Sequence, residues 1–428
     1  KNPIEIIPME EYYLKQKESI EKMKKLGQEI TFYPAMHKQI LMNWLESINI
    51  DWPISRRRYY GTEIPIWYCK NCSEPHVPEP GKYYKPWVEK CPIDKCPKCG
   101  TTEFVGEERT FDTWMDSSVS PLFISKFNKD QEFFNKVYPT TIRPQAKDIV
   151  RTWLYYTLLR CEQLTGKKPW SEAWVMGYGL DEKGMKMSKS KGNAIDPLPV
   201  IEQFGADTFR FWSASEINHG YDFRCNEQKI ESTKKFLSKL WNVSRFLSSF
   251  PIIESGITTA TDKWILNELD NLIKECKKGY DEYNFFIPAI AIREFTWNLF
   301  AAHYIEMVKA RAYGIGFTDE ERDGAIYTLH KTLSTILKLL APITPFITEY
   351  LWKTLYSSES IHKQHQVETE SEYNQSKITK EITEFNSKVW NEKKTKNLSL
   401  KDSITITIPD SLESFKKDLK SMHNLTDN

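Results

Sequence analysis

A glycine-bounded stretch with three lysines, residues 184–193, constrains this chain more than any other part of its sequence. The apolar run before it, 174–180, predicts a buried strand, and the polar residues 181–184 predict a turn. Ligands of an α/β sheet bind outside the carboxyl ends of its strands. Ammonium groups can meet a polyphosphate as point charges, serine hydroxyls can donate hydrogen bonds, and glycine allows close backbone approach. The stretch therefore predicts a phosphate-binding loop, and the plainer alternative is a solvated lysine-rich turn.

The composition is that of a globular chain long enough for two or three domains, with 428 residues, 40% of them hydrophobic and 27% charged. The formal net charge is only +1, so any nucleic-acid surface has to be a local basic patch. No apolar run approaches the roughly 20 residues that cross a bilayer, and the first residues do not form a secretory signal. We expect a cytoplasmic protein with no membrane partner.

Four of the eight cysteines form two Cys-x-x-Cys pairs, Cys69/Cys72 and Cys96/Cys99. Two such knuckles can place four thiolates tetrahedrally around Zn²⁺, and a ribbon this polar would take its folding energy from the metal. Four protein ligands leave no open position, so the predicted zinc is structural. Cys91 is a rival ligand, although Cys96 repeats the knuckle pattern with the Pro-Lys-Cys-Gly that follows it. The remaining cysteines are scattered, which disfavours a disulfide framework.

Residues 51–67 combine arginines and aromatic side chains on a backbone made irregular by glycine and proline. Arg56 and Arg58 suit contacts to phosphates, and the tyrosines beside them can stack on bases. Composition alone leaves a cationic surface turn equally open.

From about residue 225 the apolar side chains recur every three or four positions, first over 236–247, which predicts a bundle of four or more helices. We expect Arg311 to be exposed there and able to meet RNA, with a solvated face as the alternative. Residues 361–383 predict a loop or linker, 398–412 a small strand, and the lysine-rich end a frayed tail.

Several segments, in order from residue 1 to about 355, resemble class I aminoacyl-tRNA synthetases. Lys-Met-Ser-Lys-Ser at 186–190 resembles their signature loop, and 54–61 resembles the Ile-Ser-Arg-Gln-Arg-Tyr-Trp-Gly segment of the valyl, isoleucyl and leucyl branch. Asp-Thr-Trp-Met-Asp-Ser-Ser at 112–118 and Arg-Pro-Gln at 143–145 resemble the archaeal-type valyl enzymes more than the isoleucyl ones. The positions that depart from the family pattern are Arg57, Glu63, Ala146 and Lys147.

The resemblance implies a role for each residue that matches a family motif. It implies Mg²⁺ with ATP, a valine pocket of apolar side chains, and a surface for tRNA(Val). The implied residues are Lys186 and Lys189 as catalytic lysines; Lys186, Met187, Ser188, Lys189, Ser190 and Asp148 for ATP; Trp114, Ile149 and Trp153 for valine; and Arg56, Arg58, Trp241 and Arg311 for tRNA.

The implied architecture is α/β plus all-α. It comprises the second half of a class I Rossmann-like catalytic domain with a zinc-ribbon insert, then a helical-bundle anticodon-binding domain. The expected bounds are 1–62 and 111–222 for the catalytic domain, 63–110 for the zinc insert, 223–360 for the helical domain, and 361–428 for a C-terminal extension.

None of the eight histidines lies in a His-x-Gly-His pattern, which is the other half of a class I active site in the family that the chain resembles. The family's editing insert is also not found. With no initiator Met, we expect a fragment or processed product that activates valine and charges tRNA(Val) only with a separate N-terminal half. The alternatives are an isoleucyl enzyme, a non-catalytic tRNA-binding module and a degenerate paralogue.

Overall fold

The computed structural model describes residues 8–365, 367–369 and 376–426. The chain forms two compact units, and the boundary between them falls at Gly177/Tyr178, inside the segment 111–222.

A three-stranded parallel sheet lies at the centre of the first unit, with Trp170–Met176 between Thr31–Tyr33 and Thr140–Ala146. Parallel strands need long crossover connections, and helices supply them here. Trp170, Ala173 and Val175 of the central strand belong to the apolar core of this unit. The helical segments of this unit are Ile20–Gln28, Lys38–Ser47, Thr113–Ser117, Ser120–Ile124, Gln131–Val137, the π-helical Val150–Leu154, and Tyr155–Thr165, with 3-10 turns at Lys17–Ser19 and Ala35–His37.

The central strand differs from the prediction of a strand over 174–180. It begins at Trp170 and ends at Met176. Its start is hidden in the sequence by two polar residues, the exposed Ser171 and the half-buried Glu172. Gly177 follows it, and the next extended pair, Gly179–Leu180, belongs to the second unit.

The cysteine-rich insert has its own antiparallel sheet, with Trp67–Cys69 between Pro75–His76 and Phe104–Gly106. The insert leaves and rejoins the first unit at one place, because Ser55–Arg56 pairs with Thr110–Phe111. Trp52–Pro53, just before it in the chain, pairs with Tyr13–Leu14 in antiparallel fashion.

The second unit is mainly helical, as the spacing over 236–247 predicts, with Leu240 and Leu247 buried. Its small sheet pairs Gly179–Leu180 with Phe223–Arg224. Across the described ranges, no helix is both long enough and apolar enough to cross a membrane. The helices are Pro197–Phe204, Ala206–Glu216, Glu227–Leu247, Ala260–Asp281, Phe286–Glu294, the π-helical Phe295–Tyr304, Ile305–Ala312, Asp319–Leu340, Pro345–Leu355, Ser376–Thr395 and Lys416–His423, with 3-10 turns at Lys189–Lys191, Ile361–Lys363 and Asp410–Phe415.

The end of the chain corrects three predictions. The predicted linker 361–383 is helical over 376–383, because Ser376–Thr395 buries one apolar face in the same core as the earlier helices. Residues 398–412 form no strand: Ile404 makes an isolated bridge with Leu425, and 410–412 begin the 3-10 turn Asp410–Phe415. The helix Lys416–His423 packs Leu419 into the core and is not a frayed tail. The buried side chains of the longer helix are Ile382, Phe385 and Val389.

Two charged side chains of the helix Ala206–Glu216 form hydrogen bonds with the backbone just before and at the start of the helix Pro345–Leu355. The Asp207 carboxylate accepts a hydrogen bond from the Ile347 amide at 2.6 Å, and Arg210 Nε donates to the Ile343 carbonyl at 2.8 Å. Asp207 therefore caps the free amides at the start of Pro345–Leu355, which helix geometry leaves without partners. Burial raises the pKa of Asp207, while these amides act in the opposite direction.

Candidate functional site

The lysine-rich stretch 184–193, called the lysine loop below, starts as one arm of a short hairpin. Leu180 bridges Lys186 in antiparallel fashion, and the Met187 amide donates to the Gly179 carbonyl at 3.0 Å. Gly184 sits in the turn at φ +79°, a conformation that side chains other than glycine rarely adopt. These bonds and this turn give the start of the loop a defined backbone.

Two residues that the sequence analysis missed hold this loop together. The Asp181 carboxylate accepts hydrogen bonds from the amides of Lys183 and Met185, at 3.0 and 2.8 Å, and from Asn193 Nδ2 at 2.8 Å. Asn193 Oδ1 in turn accepts from the Ser188 amide at 2.9 Å. The Asn193 bond is the main cause that lowers the pKa of Asp181. An Asp that starts a glycine-containing turn is a known signal for such side-chain-to-backbone bonds.

Most of the predicted ATP-binding side chains of the lysine loop reach the surface of the second unit, but Met187 is partly buried and packs against Trp212 and its neighbours. Lys186 is exposed, with its ammonium nitrogen 4.1 Å from the centre of the Tyr178 ring. Lys189 is also exposed and begins a 3-10 turn. The hydroxyl oxygens of Ser188 and Ser190 are 3.3 Å apart. Two cations and two hydroxyls thus lie within five residues, which is a donor set suited to phosphate oxygens.

Two of the three residues predicted for the amino-acid pocket lie in the first unit on two helical segments that contact each other. Trp114 is half-buried in Thr113–Ser117, and Trp153 is half-buried in the π-helical Val150–Leu154. The Trp153 indole N–H donates to the Ser117 carbonyl at 3.2 Å. Short π-helical segments are frequent at functional sites, so the local geometry suits a binding pocket.

Asp148 and Ile149 lie in the turn between the strand Thr140–Ala146 and the π-helical segment, and both are half-buried. The amide of Lys147 donates to the Met176 carbonyl at 3.0 Å, which fixes this turn at the carboxyl end of the central strand. That edge is where α/β sheets bind ligands.

Arg143 supports Trp153 and was not found by sequence reasoning. Its guanidinium carbon lies 3.6 Å from the centre of the Trp153 ring, and Nη2 donates to Ser120 Oγ at 3.1 Å. Burial lowers the pKa of Arg143 to about 10, so the group is still a cation at neutral pH. A cation against an indole face is attractive, the more so when it is desolvated.

The structure brings four cysteines of the insert together. The sulfur atoms of Cys69, Cys72, Cys96 and Cys99 all lie within 4.8 Å of one another, with 3.4 Å between Cys69 and Cys99 and 3.7 Å between Cys72 and Cys96. A tetrahedral zinc with bonds of about 2.3 Å places its sulfurs about 3.8 Å apart. Cys91 is not one of the group. The donor set and its spacing fit a four-thiolate metal.

The two arginines predicted for tRNA contact differ in their surroundings. Arg56 donates to the carboxylate of Asp112 and to the carbonyls of Pro53 and Ser55, at 2.7 and 2.8 Å. Since Asp112 caps the pocket helix Thr113–Ser117, Arg56 braces that helix. Arg58 is exposed.

In the helical unit, Trp241 is 41% exposed and stacks on Tyr350, with ring centres 5.6 Å apart. Such a pair suits contact with an unpaired base. The predicted exposure of Arg311 is wrong: its side chain is fully buried and pairs with Asp262 at 2.6 Å and Asp418 at 3.1 Å. Arg311 is a core residue and is not available to RNA in this conformation.

Two family models match the chain. The model described as tRNA synthetases class I (I, L, M and V) matches residues 5–225, and that of the anticodon-binding domain of tRNA ligase matches residues 262–408. The first covers slightly more than half of the chain, and the second extends past residue 360. The chain belongs to the class I tRNA synthetases of the isoleucine, leucine, methionine and valine group.

Within this family, the curated relatives that match the chain include archaeal valine–tRNA ligases. The chain is 42% identical to the valine–tRNA ligase of Aeropyrum pernix and 44% identical to that of Nanoarchaeum equitans, over 99% of its own length in both cases. It covers 53% and 55% of these two relatives, so it spans about half of their length.

Solved structures agree with the fold. A methionyl-tRNA synthetase of Mycobacterium tuberculosis in complex with methionyl-adenylate aligns with a TM-score of 0.60 at 17% identity, over 79% of this chain and 61% of that one. A LeuRS of Agrobacterium radiobacter in a ternary complex with tRNA and LeuAMS aligns at 0.58 and 23% identity, over 75% of this chain and 42% of that one.

Proposed function

We propose that this chain supplies the lysine-loop part of a valine–tRNA ligase, which activates valine with ATP and transfers it to tRNA(Val). The observation that carries the proposal is the 42–44% identity to archaeal valine–tRNA ligases along 99% of the chain, lysine loop and pocket helices included. The part with the His-x-Gly-His loop has to come from outside these 428 residues, because none of the eight histidines forms that pattern.

In the activation step, the valine carboxylate attacks the α-phosphorus of ATP, a carboxyl–phosphate bond forms, and the bond to the β-phosphate oxygen breaks. Negative charge then grows on the leaving pyrophosphate. Lys186 and Lys189 supply cations for that charge, together with the Mg²⁺ that accompanies ATP. Positioning and electrostatic stabilisation carry most of such a reaction, since the protein forms no covalent bond itself. In the second step, a ribose hydroxyl at the tRNA 3′ end attacks the valyl carbonyl, and AMP leaves.

Valine selection would rest on Trp114, Ile149 and Trp153, whose aromatic and branched side chains suit a small aliphatic group. Asp148 would hold the ligand ammonium or a ribose hydroxyl. Such a pocket rejects a larger side chain by overlap, but discriminates poorly against isosteric threonine. Arg58 and the stacked Trp241 are the proposed tRNA contacts.

Zinc at Cys69, Cys72, Cys96 and Cys99 would stabilise the insert without taking part in the reaction. Substituting Cys96 by serine is expected to lower bound zinc from about one equivalent to near zero. Metal content measured by mass spectrometry checks this. The matched control is Cys91→Ser, which should retain the zinc; loss of zinc from that variant with retention by Cys96→Ser would reverse the assignment.

Valine-dependent ATP–pyrophosphate exchange tests the activation step. The chain should show none alone, and should show exchange when mixed with an amino-terminal half that carries the His-x-Gly-His loop. Exchange by the chain alone would contradict the proposal, and exchange that follows isoleucine instead of valine would favour an isoleucyl enzyme. No exchange in any mixture, with RNA still bound, would favour a non-catalytic RNA-binding module.

A further inference from the structure

Two tyrosine side chains of the first unit donate to one buried carboxylate, and a tryptophan meets one of their rings, while all three aromatic residues stay exposed. Tyr59, Tyr83 and Trp87 are 63%, 57% and 47% exposed. The hydroxyls of Tyr59 and Tyr83 both donate to Glu63, that of Tyr59 at 2.9 Å. The rings of Tyr59 and Trp87 meet edge to face, with centres 6.1 Å apart. Large exposed aromatics in one place are unusual on a protein surface and often mark a binding site.

Glu63 gives this group a fixed geometry. Its side chain is 1% exposed, and its backbone bridges Thr110 at the base of the insert. A buried carboxylate needs donors, because an unsatisfied charge away from water is costly. The two tyrosine hydroxyls supply them, so each ring is held at its phenol end while its faces stay open. The two rings are therefore already ordered before a ligand binds, so binding loses less conformational entropy and the affinity is higher.

Cations lie among these rings. The ammonium nitrogen of Lys85 is 5.9 Å from the centre of the Tyr83 ring, and the exposed Arg58 directly precedes Tyr59 in the chain. Lys82 lies 4.8 Å from the centre of the neighbouring Tyr84 ring. Open aromatic faces combined with lysine and arginine are the donor set of proteins that bind single-stranded nucleic acid, where bases stack and phosphates pair with cations.

The patch is also joined to the predicted amino-acid pocket. Thr62 Oγ1 donates to the Asp116 carboxylate at 2.8 Å, and Asp116 lies in the helix Thr113–Ser117 that carries Trp114. A ligand on the patch would therefore lie in the same unit as the site where the proposed reaction needs an RNA end.

We propose that Tyr59, Tyr83 and Trp87, with Arg58 and Lys85, form a stacking surface for unpaired RNA nucleotides. This tyrosine–tryptophan patch is organised by Glu63, one of the positions that depart from the family pattern. The kind of RNA, a strand with an unpaired 3′ end, follows from the proposed function, and this part of the inference rests on it. The patch would give that 3′ end a contact outside the amino-acid pocket.

Fluorescence anisotropy with the 428-residue chain tests the patch directly. The probe is a labelled seven-nucleotide single-stranded RNA ending in CCA, and the comparison probe is the same strand sealed in a blunt duplex. Trp87→Ala is expected to raise the Kd for the single strand about 5- to 100-fold, from the loss of one stacked base. Its Kd for the duplex should change less than about 2-fold.

Tyr83→Phe keeps the ring and removes its bond to Glu63, so an intermediate loss is expected. Phe123→Ala is the matched control, because Phe123 is a 77% exposed aromatic of the same unit with Lys129 at 5.9 Å; its Kd should not change. Equal binding of both probes, or single-strand binding unaffected by Trp87→Ala, would overturn the patch. Valine-dependent exchange does not depend on this result, so loss of the patch alone leaves the proposed function standing.

Discussion

Replacing Lys186 or Lys189 by alanine is expected to slow valine-dependent ATP–pyrophosphate exchange about 10²- to 10³-fold in the completed enzyme. Each ammonium is proposed to stabilise charge that develops on the leaving pyrophosphate, so its loss should appear in the rate of activation more than in the KM for valine. Both side chains are exposed, and their removal should leave the fold intact. Steady-state exchange, with circular dichroism of each variant, measures the two effects.

Lys183→Ala is the matched control for this experiment. Lys183 is an exposed lysine just before the lysine loop, and only its backbone amide is bonded to Asp181. Its removal should change exchange less than about 3-fold, because an exposed charge outside the donor set contributes little. An equal loss of exchange activity in all three variants would mean that only the total positive charge of the loop matters. Unchanged exchange activity in all three would mean that Lys186 and Lys189 do not take part in the activation step.

Replacing Arg311 by leucine is expected to destabilise the second unit by about 3–5 kcal/mol. Arg311 lies between Asp262 and Asp418, all three deeply buried, and Tyr304 donates a further bond to Asp262 at 2.6 Å. Without the guanidinium, two carboxylates would stay in the core without their cation. Urea unfolding followed by the helical signal measures the change in the free energy of unfolding.

Arg322→Ala provides the comparison for Arg311. Arg322 pairs with Asp319 at 2.7 Å and with Asp323 at 3.0 Å, and its side chain keeps 38% of its surface in water while that of Asp319 keeps 83%. A cost of about 0–1 kcal/mol is therefore expected. A loss for Arg311→Leu no larger than that for Arg322→Ala would mean that the buried cluster does not hold the unit together. A specific loss of RNA binding at unchanged stability would instead restore the tRNA role first predicted for Arg311.

Local signals in the sequence were sufficient for several elements. The recurrence of apolar residues over 236–247 predicted the bundle, because a helix that buries one face must repeat at its own period. The helix Ser376–Thr395 was missed although Ile382, Phe385 and Val389 follow the same spacing. The many polar residues of this helix make its apolar periodicity weak in the sequence. Its narrow apolar face stabilises the helix only because neighbouring helices pack against it.

Partners far apart in the sequence could not be predicted in this way. Arg311 looks like a surface cation until Asp418 is brought beside it by the fold. Glu63 looks like a plain departure from a motif until Tyr83 reaches it. The hydrogen bond between Asp181 and Asn193 could more nearly have been predicted, because Asp181 begins a glycine-containing turn and such residues often bond to nearby groups. Residue types and spacings indicated the chemistry of the candidate site, whereas the groups that brace it depend on tertiary contacts.

Formation of valyl-tRNA tests most directly whether this chain is the lysine-loop part of a valine–tRNA ligase. The chain, the amino-terminal half, and their mixture would each be incubated with ATP, Mg²⁺, a tRNA(Val) transcript and labelled valine or isoleucine. Charged tRNA is expected only in the mixture and only with valine. Charging by the 428-residue chain alone, or charging with isoleucine in preference to valine, would contradict this expectation.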